Sequence, residues 1–287
     1  MRTLYNEPMS KHTTFKIGGP ADIFVIPQSI DELLSAVKEC RDNNTPYLII
    51  GNGSNLLVGD GGIRGMVISI KELCEIRLLD NDLIYAQAGA MMPDVSKFAH
   101  GNALSGLEFA EGIPGSIGGG VVMNAGAYGG EIKDVYLAAQ VIDADCRLID
   151  IDLDSMDFAY RKSAAQEHGH IICSVTMQLA PGNKDDIAVR MADYRTRRRE
   201  KQPLAAASAG STFRRPPGHF AGKLVMDAGL RGFTIGGAQV SEKHCGFIIN
   251  RGNATATDIL ELIAHVQSCV MKKFGVMLET EVKIVGE

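Results

Sequence analysis

Two glycine-rich segments and three short polar motifs hold the chemistry this chain can do. The first segment is GNGSNLLVGDGGIRG, residues 51–65. It starts with Gly51-Asn52-Gly53-Ser54-Asn55, and the β-like run Leu56-Leu57-Val58 follows. In the dinucleotide fingerprint of the Rossmann fold the third glycine opens a helix, and no helix is announced here. Successive backbone N–H groups in such a loop can form a nest for phosphate oxygens. An ordinary hairpin turn would use the same residues. The second segment, residues 101–130, holds ten glycines, where average composition gives about two. Leu104, Leu107, Phe109, Ile113, Ile117 and Val121 make it too apolar for a flexible linker. Such a pattern suits folded backbone whose main chain touches a flat or phosphorylated ligand. The polar motifs are FAYRKS (158–163), AGSTFRRPPGHFAGK (209–223) and FGVMLETEVKIVG (274–286). Taken singly, each has a plain reading: Arg161 as a surface residue, Ser211 as a turn residue, Glu281 as a strand-edge charge.

Other chemistries lack their signatures. The sequence contains no H-E-x-x-H, no G-x-S-x-G and no G-x-x-x-x-G-K-[ST], so zinc, serine-hydrolase and P-loop chemistry have no support. The six cysteines, Cys40, Cys74, Cys146, Cys173, Cys245 and Cys269, are evenly spread and include no C-x-x-C. They read as reduced thiols, not a disulfide framework or a metal site. His168 and His170 are expected on one face of a strand as surface residues, and no metal site is expected.

The elements that must position these motifs follow from periodicity. Residues 22–26 (DIFVI) read as a strand. Ser29 and Glu32 have capping-box spacing. Ile30, Leu33, Leu34, Val37 and Cys40 predict an amphipathic helix over 30–43. Residues 47–50 (YLII) and 66–70 (MVISI) are further strands, so the chain starts β-α-β. Between 134 and 181 the runs VYLAAQVID, RLIDID and HIICSVTMQL alternate with turns. Residues 185–202 read as a helix. Five of the seven residues from Arg195 to Lys201 are basic, a solvated helix face. Pro203 and the small residues 205–209 mark a domain boundary. The last helix is expected to be capped by Thr257 or Asp258. Its stripe is Ile259, Leu262, Ile263, Val266 and Val270, and Gly275 closes it. A strand is expected at 281–285.

Composition bounds the function. The 287 residues suit one large or two smaller domains, with a hydrophobic share of 45% and a charged share of 22%. A net charge of −5 disfavours a nucleic-acid or membrane-surface role. The start, MRTLYNEPMSKHTT, has no signal-peptide core, and no apolar run approaches the ~18 residues of a membrane span. A cytoplasmic protein without membrane insertion is expected.

In combination the motifs are specific. HTTFKIGGPAD (12–22), GNGSNLLV, GIPGSIGGGVVMNAGAYGGEI, YRKS, GSTFRRPPG, VSEKHCGFIIN (240–250) and LETEVKIVG resemble the UDP-N-acetylmuramate dehydrogenase family, in its order and over nearly the whole chain. The sequence is similar to the short branch that lacks an extra tyrosine-bearing loop. The resemblance implies an α+β fold: a flavin-binding region of the vanillyl-alcohol-oxidase/PCMH kind, built of two α+β subdomains (1–66 and 67–183), a helical linker (184–202) and a C-terminal α+β substrate domain (203–287). It implies FAD held by main-chain contacts from Gly51, Asn52, Gly53, Ser54 and Asn55, and from Gly112, Pro114, Gly115, Ser116, Gly118, Gly119, Asn124 and Gly126. Loop 51–65 contains neither His nor Cys, so FAD is expected to bind non-covalently.

The reaction implied is NADPH reduction of FAD, then hydride transfer to C3 of UDP-N-acetylglucosamine enolpyruvate and protonation at C2. The product is UDP-N-acetylmuramate, a peptidoglycan precursor. By match to the family's motifs, Arg161 stabilises the charge that develops on the substrate carboxylate, and Ser211 delivers the proton. Glu281 is the catalytic glutamate, either protonated itself or orienting Arg161 or a water. Tyr160 supports Arg161 or contacts substrate, and Arg215 is a diphosphate contact. A monomer or small homo-oligomer is expected.

Overall fold

The structure, a computed structural model, describes residues 1–80 and 82–287. It divides into two compact units of interleaved segments. The first comprises Met1–Leu4, Phe24–Asn52 and Met66–Arg197; the second comprises Tyr5–Ile23, Gly53–Gly65 and Arg198–Glu287. Strands Arg2–Pro8, Pro20–Ile26 and Ile63–Ser69 each pass from one unit to the other.

In the first unit, the helix expected at 30–43 is α1, Ile30–Asp42. Ser29 caps it by accepting from the Glu32 N–H at 3.1 Å. The Glu32 carboxylate turns instead to the Gln28 N–H (2.8 Å) and the chain's amino terminus (2.6 Å), so the box is half made. Leu33, Ala36, Val37 and Cys40 form its buried stripe. Strand Tyr47–Ile50 runs parallel to Ile63–Ser69, which lies between it and Pro20–Ile26. The β-α-β start thus takes a later strand into its middle.

A five-stranded antiparallel sheet forms the rest of the unit's frame. Its order is Leu148–Asp152, Tyr136–Ile142, Ile171–Gln178, Leu83–Gln87, Ile76–Asp80. The central strand is buried at six of its eight positions, and edge strand Ile76–Asp80 at none. Helix α2 (Met92–Gly101) leads into the second glycine-rich segment and α3 (Ile117–Val122) lies within it. The sequence of α3 is IGGGVV, and each glycine costs about 1 kcal/mol of helix propensity relative to Ala. Packing explains Gly118, where a Cβ would come within 2.7 Å of the Ala88 Cβ. Short α4 (Ala164–His168) and long α5 (Lys184–Lys201) follow. His168 ends α4, and Gly169 (φ +66°) turns the chain before strand Ile171–Gln178. The two histidines therefore do not share a strand face.

The second unit packs α6 (Ala221–Asp227) and α7 (Ala256–Phe274) with the antiparallel strands Thr234–Ile235, Ala238–Val240 and Ile248–Asn250. The five expected stripe residues of α7 are buried, and Gly275 (φ +67°) closes the helix. The cap is Thr255, earlier than expected. Its hydroxyl accepts from the Asp258 N–H and its own N–H donates to the Asp258 carboxylate, both at 3.1 Å. The N–H groups of Ala256 and Thr257 go to Asp60, at 2.8 and 3.0 Å. Strand Lys283–Val285 pairs in parallel with Leu56–Val58. All six cysteines are free thiols.

Candidate active site

In the first unit the two glycine-rich segments meet. A Cβ on Gly51 would lie 2.2 Å from the Ser116 Oγ, so only glycine fits without displacing that side chain. The Asn52 side-chain amide donates to the Pro114 carbonyl at 2.7 Å. Ser116 caps α3. The first N–H groups of α3 are consumed internally, Ile117 by the Ala90 carbonyl (2.7 Å) and Gly118 by that of Ala88 (2.9 Å). The backbone N–H groups of Asn52, Gly112, Gly115 and Ser116 donate to no protein acceptor among the described residues. They suit the oxygens of a diphosphate. Beside Asn52 opens a cavity of about 340 Å³, lined among others by Lys71, Ile76, Ala90, Met91 and Asp94. No sequence motif marks Lys71, Met91 or Asp94; the nearest signal is Gly89-Ala90 at the end of a strand.

Arg161 sits in a tight turn. Ala159 and Lys162 exchange both main-chain hydrogen bonds, at 3.1 and 3.2 Å, and Arg161 itself is left-handed (φ +57°). That conformation is unfavourable for a non-glycine residue. It aims the guanidinium back at the glycine-rich segment, where its two terminal nitrogens donate to the Asn124 and Gly126 carbonyls at 3.3 Å. The ring of Tyr160, 52% exposed, has its centroid 5.2 Å from the guanidinium carbon. The Ser163 hydroxyl donates to the Val122 carbonyl at 2.8 Å, a second tie between turn and segment. Asn124 is fully buried and its side chain is spent within the protein. It donates to Glu131 (2.9 Å) and the Ala159 carbonyl (3.1 Å), and accepts from the Lys133 N–H (3.1 Å).

The second unit holds Gly53, Ser54 and Asn55 together with Ser211, Arg215 and Glu281. Gly53 has φ +61°, and a Cβ there would strike the His12 carbonyl at 2.1 Å. Asn55 donates through its side chain to the Glu281 carbonyl (3.1 Å) and accepts from the Lys283 N–H (3.0 Å). The stretch carrying Ser211 meets the one carrying Glu281 through an isolated antiparallel bridge, with Phe213 opposite Thr280. Buried Thr212 fixes it: its N–H donates to Gly246 (2.8 Å), its hydroxyl accepts from Ile248 (3.1 Å), and its carbonyl accepts from the Glu281 N–H (2.8 Å). Ser211 is exposed beside this anchor. The two candidate glutamates differ in setting. Glu279 is exposed with an Arg214 guanidinium nitrogen 3.9 Å away, whereas Glu281 is half-buried. Arg215 donates to the His219 carbonyl (3.2 Å) and lies 3.9 Å over the Phe220 ring.

Among the described residues, no group of three or more His, Cys, Asp or Glu could hold a metal ion, and no helix is long and apolar enough to cross a membrane.

Comparison with known proteins identifies both parts of the chain. Residues 21–152 match the FAD binding domain family. Residues 202–285 match the family described as UDP-N-acetylenolpyruvoylglucosamine reductase, C-terminal domain. The reductase of that name from Agathobacter rectalis is 55% identical over 298 residues, covering 99% of this chain and 94% of the relative. The one from Clostridioides difficile is 50% identical over 282 residues, covering 98% and 93%. The crystal structure of the Thermus caldophilus reductase superposes with a TM-score of 0.83 at 34% identity, covering 99% of this chain and 98% of that one. The expected architecture holds: an FAD-binding fold of the PCMH kind, built of α+β subdomains. With those matches, the chain belongs to the UDP-N-acetylenolpyruvoylglucosamine reductase family.

Proposed function

We propose that this protein reduces UDP-N-acetylglucosamine enolpyruvate to UDP-N-acetylmuramate with NADPH, in the cytoplasm. The observation that carries this reading is the Arg161 guanidinium, anchored on two carbonyls of a glycine-rich segment in a chain 55% identical to a reductase of that name. The free amide donors around Ser116 and the adjoining cavity fit non-covalently bound FAD. When bound, FAD supplies the hydride, which it takes from NADPH.

The substrate is an α,β-unsaturated carboxylate. Hydride addition at C3 pushes the C2=C3 electron pair towards C2 and the carboxylate. Arg161 stabilises the negative charge that develops there; its charge is fixed and its fork matches both oxygens. A cation already held in place stabilises the transition state without reorganising during the reaction. Ser211 holds the proton that C2 receives. A serine hydroxyl is a weak acid in water, and it serves here because the enolate carbon is strongly basic. Glu281 takes the part of the family's catalytic glutamate, either holding a proton or orienting Arg161 or a water, since a bare carboxylate beside the enolate would repel it. Tyr160 supports Arg161, and Arg215 meets the substrate diphosphate. In this reading residues 203–287 bind the substrate.

The test is anaerobic. The purified protein is reduced with NADPH and then mixed with the enolpyruvyl substrate in a stopped-flow instrument. Reoxidation within a turnover time, with one UDP-N-acetylmuramate formed per flavin, is expected. A flavin that stays reduced in the presence of the substrate, and is reoxidised only when dioxygen is then admitted, would end the proposal.

A further inference from the structure

We infer that Asn124 is a positioning residue for Arg161, not a cofactor contact. This rests on the reading of Arg161 given above. Arg161 cannot hold its direction by itself, because its long side chain has several rotatable bonds and a turn fixes only its Cα. The carbonyls of Asn124 and Gly126 each hold one of its terminal nitrogens. Those carbonyls point the right way because Asn124 adopts a left-handed conformation, φ +43°. Asparagine tolerates that region better than most residues, and a local side-chain hydrogen bond helps to hold it there.

The Asn124 side chain then locks both partners. Its amide donates to the Ala159 carbonyl, at the base of the Arg161 turn, and to the Glu131 carboxylate. Its oxygen accepts from the Lys133 N–H. One buried amide thus joins three stretches: the backbone that receives the guanidinium, the turn that presents it, and residues 131–133 behind both. Glu131 is itself held by the Lys133 ammonium at 3.1 Å. Each protein bond of the Asn124 side chain ends on one of these stretches, and the residue is 0% exposed, which leaves it no route to a ligand. Losing the side chain would let turn and segment move independently. A misplacement of about 1 Å at a charge-stabilising group can cost on the order of 10²-fold in rate.

The test is a double-mutant cycle. Asn124→Gly keeps the left-handed backbone, which glycine adopts freely, and removes only the side chain. Asn124→Asp keeps the size and the Lys133 contact but loses both donor bonds, to Ala159 and to Glu131, and sets a carboxylate beside that of Glu131; it gives a second reading of the cycle. Either change is expected to lower kcat about 10²-fold while KM for the enolpyruvyl substrate moves less than about threefold. In an R161A background the same change is expected to cost less than about threefold, since there is no guanidinium left to misplace. Equal losses in both backgrounds would overturn the inference. So would a loss explained wholly by flavin missing from the purified variant, since that is what a cofactor contact would show. If R161A alone reduced the substrate at the parental rate, the reading of Arg161 itself would fall, whatever the Asn124 variants did.

Discussion

The two regions that carry the side chains proposed to react are built in opposite ways. Arg161 is committed: a left-handed turn, a buried asparagine and two carbonyls hold its guanidinium. Ser211 is exposed, and what is fixed is its neighbour, Thr212, bonded to Gly246, Ile248 and Glu281. In the proposed mechanism the difference follows from the two tasks. A charge stabilises a transition state best when it is already in place, because moving it costs reorganisation energy. A proton donor needs a hydroxyl that can turn towards the acceptor carbon, so the backbone is anchored and the rotor is left loose.

The largest way to test the comparison is to remove the committed group. R161A is expected to lose roughly 10³-fold in kcat/KM for the enolpyruvyl substrate, as for loss of an oxyanion donor. R161K should recover little, because an ammonium cannot reproduce the fork. A loss below tenfold in steady-state kinetics would show that the anchoring serves something else. A smaller effect is expected from Gly51→Ala. The new methyl group must displace Ser116, so FAD affinity should fall about tenfold or more in a titration of the apoprotein. Unchanged affinity would mean that the loop has slack the geometry does not show.

The smallest effect concerns stability in the second unit. Asp60 lies far from α7 in sequence but accepts from the N–H groups of Ala256 and Thr257 in its first turn. Partial burial pushes its carboxyl up, but those donors and the Thr257 hydroxyl hold it below its usual value of 3.8. The charged form is therefore favoured by folding. Its contribution is complete above pH 3.8 and is lost as pH falls through the lowered folded value. Asp60→Ala should cost about 1 kcal/mol at neutral pH in denaturant unfolding, with solvent screening keeping it at the low end. The gap to the parent should narrow in acid; a gap independent of pH would contradict the helix-end role.

Much of the frame was legible in sequence. The 30–43 and 185–202 patterns became α1 and α5 within a residue, and YLII at 47–50 is a strand. Those segments follow their own periodicity. The cap of α7 was missed because Thr255, Thr257 and Asp258 are all good capping types. Partners settled the choice, with Asp60 taking the N–H groups inside the first turn. Helix α3 was invisible, since three consecutive glycines carry no helical signal and only the close approach to Ala88 explains Gly118. Motifs named the types of residue at the site. They did not show that Arg161 is left-handed or that Asn124 ties its turn to the glycine-rich segment, because those facts depend on stretches about 35 residues apart.

The central claim, charge stabilised by Arg161 and proton supplied by Ser211, is tested most directly with S211A. The reduced variant is mixed with the enolpyruvyl substrate in D2O, while flavin reoxidation and deuterium at C2 of the product are followed in time. Flavin reoxidation within about tenfold of the parental rate, with deuterium arriving at C2 orders of magnitude later, is the expected result. If S211A slowed flavin reoxidation by the substrate and flavin reduction by NADPH to the same extent, Ser211 would not be the donor.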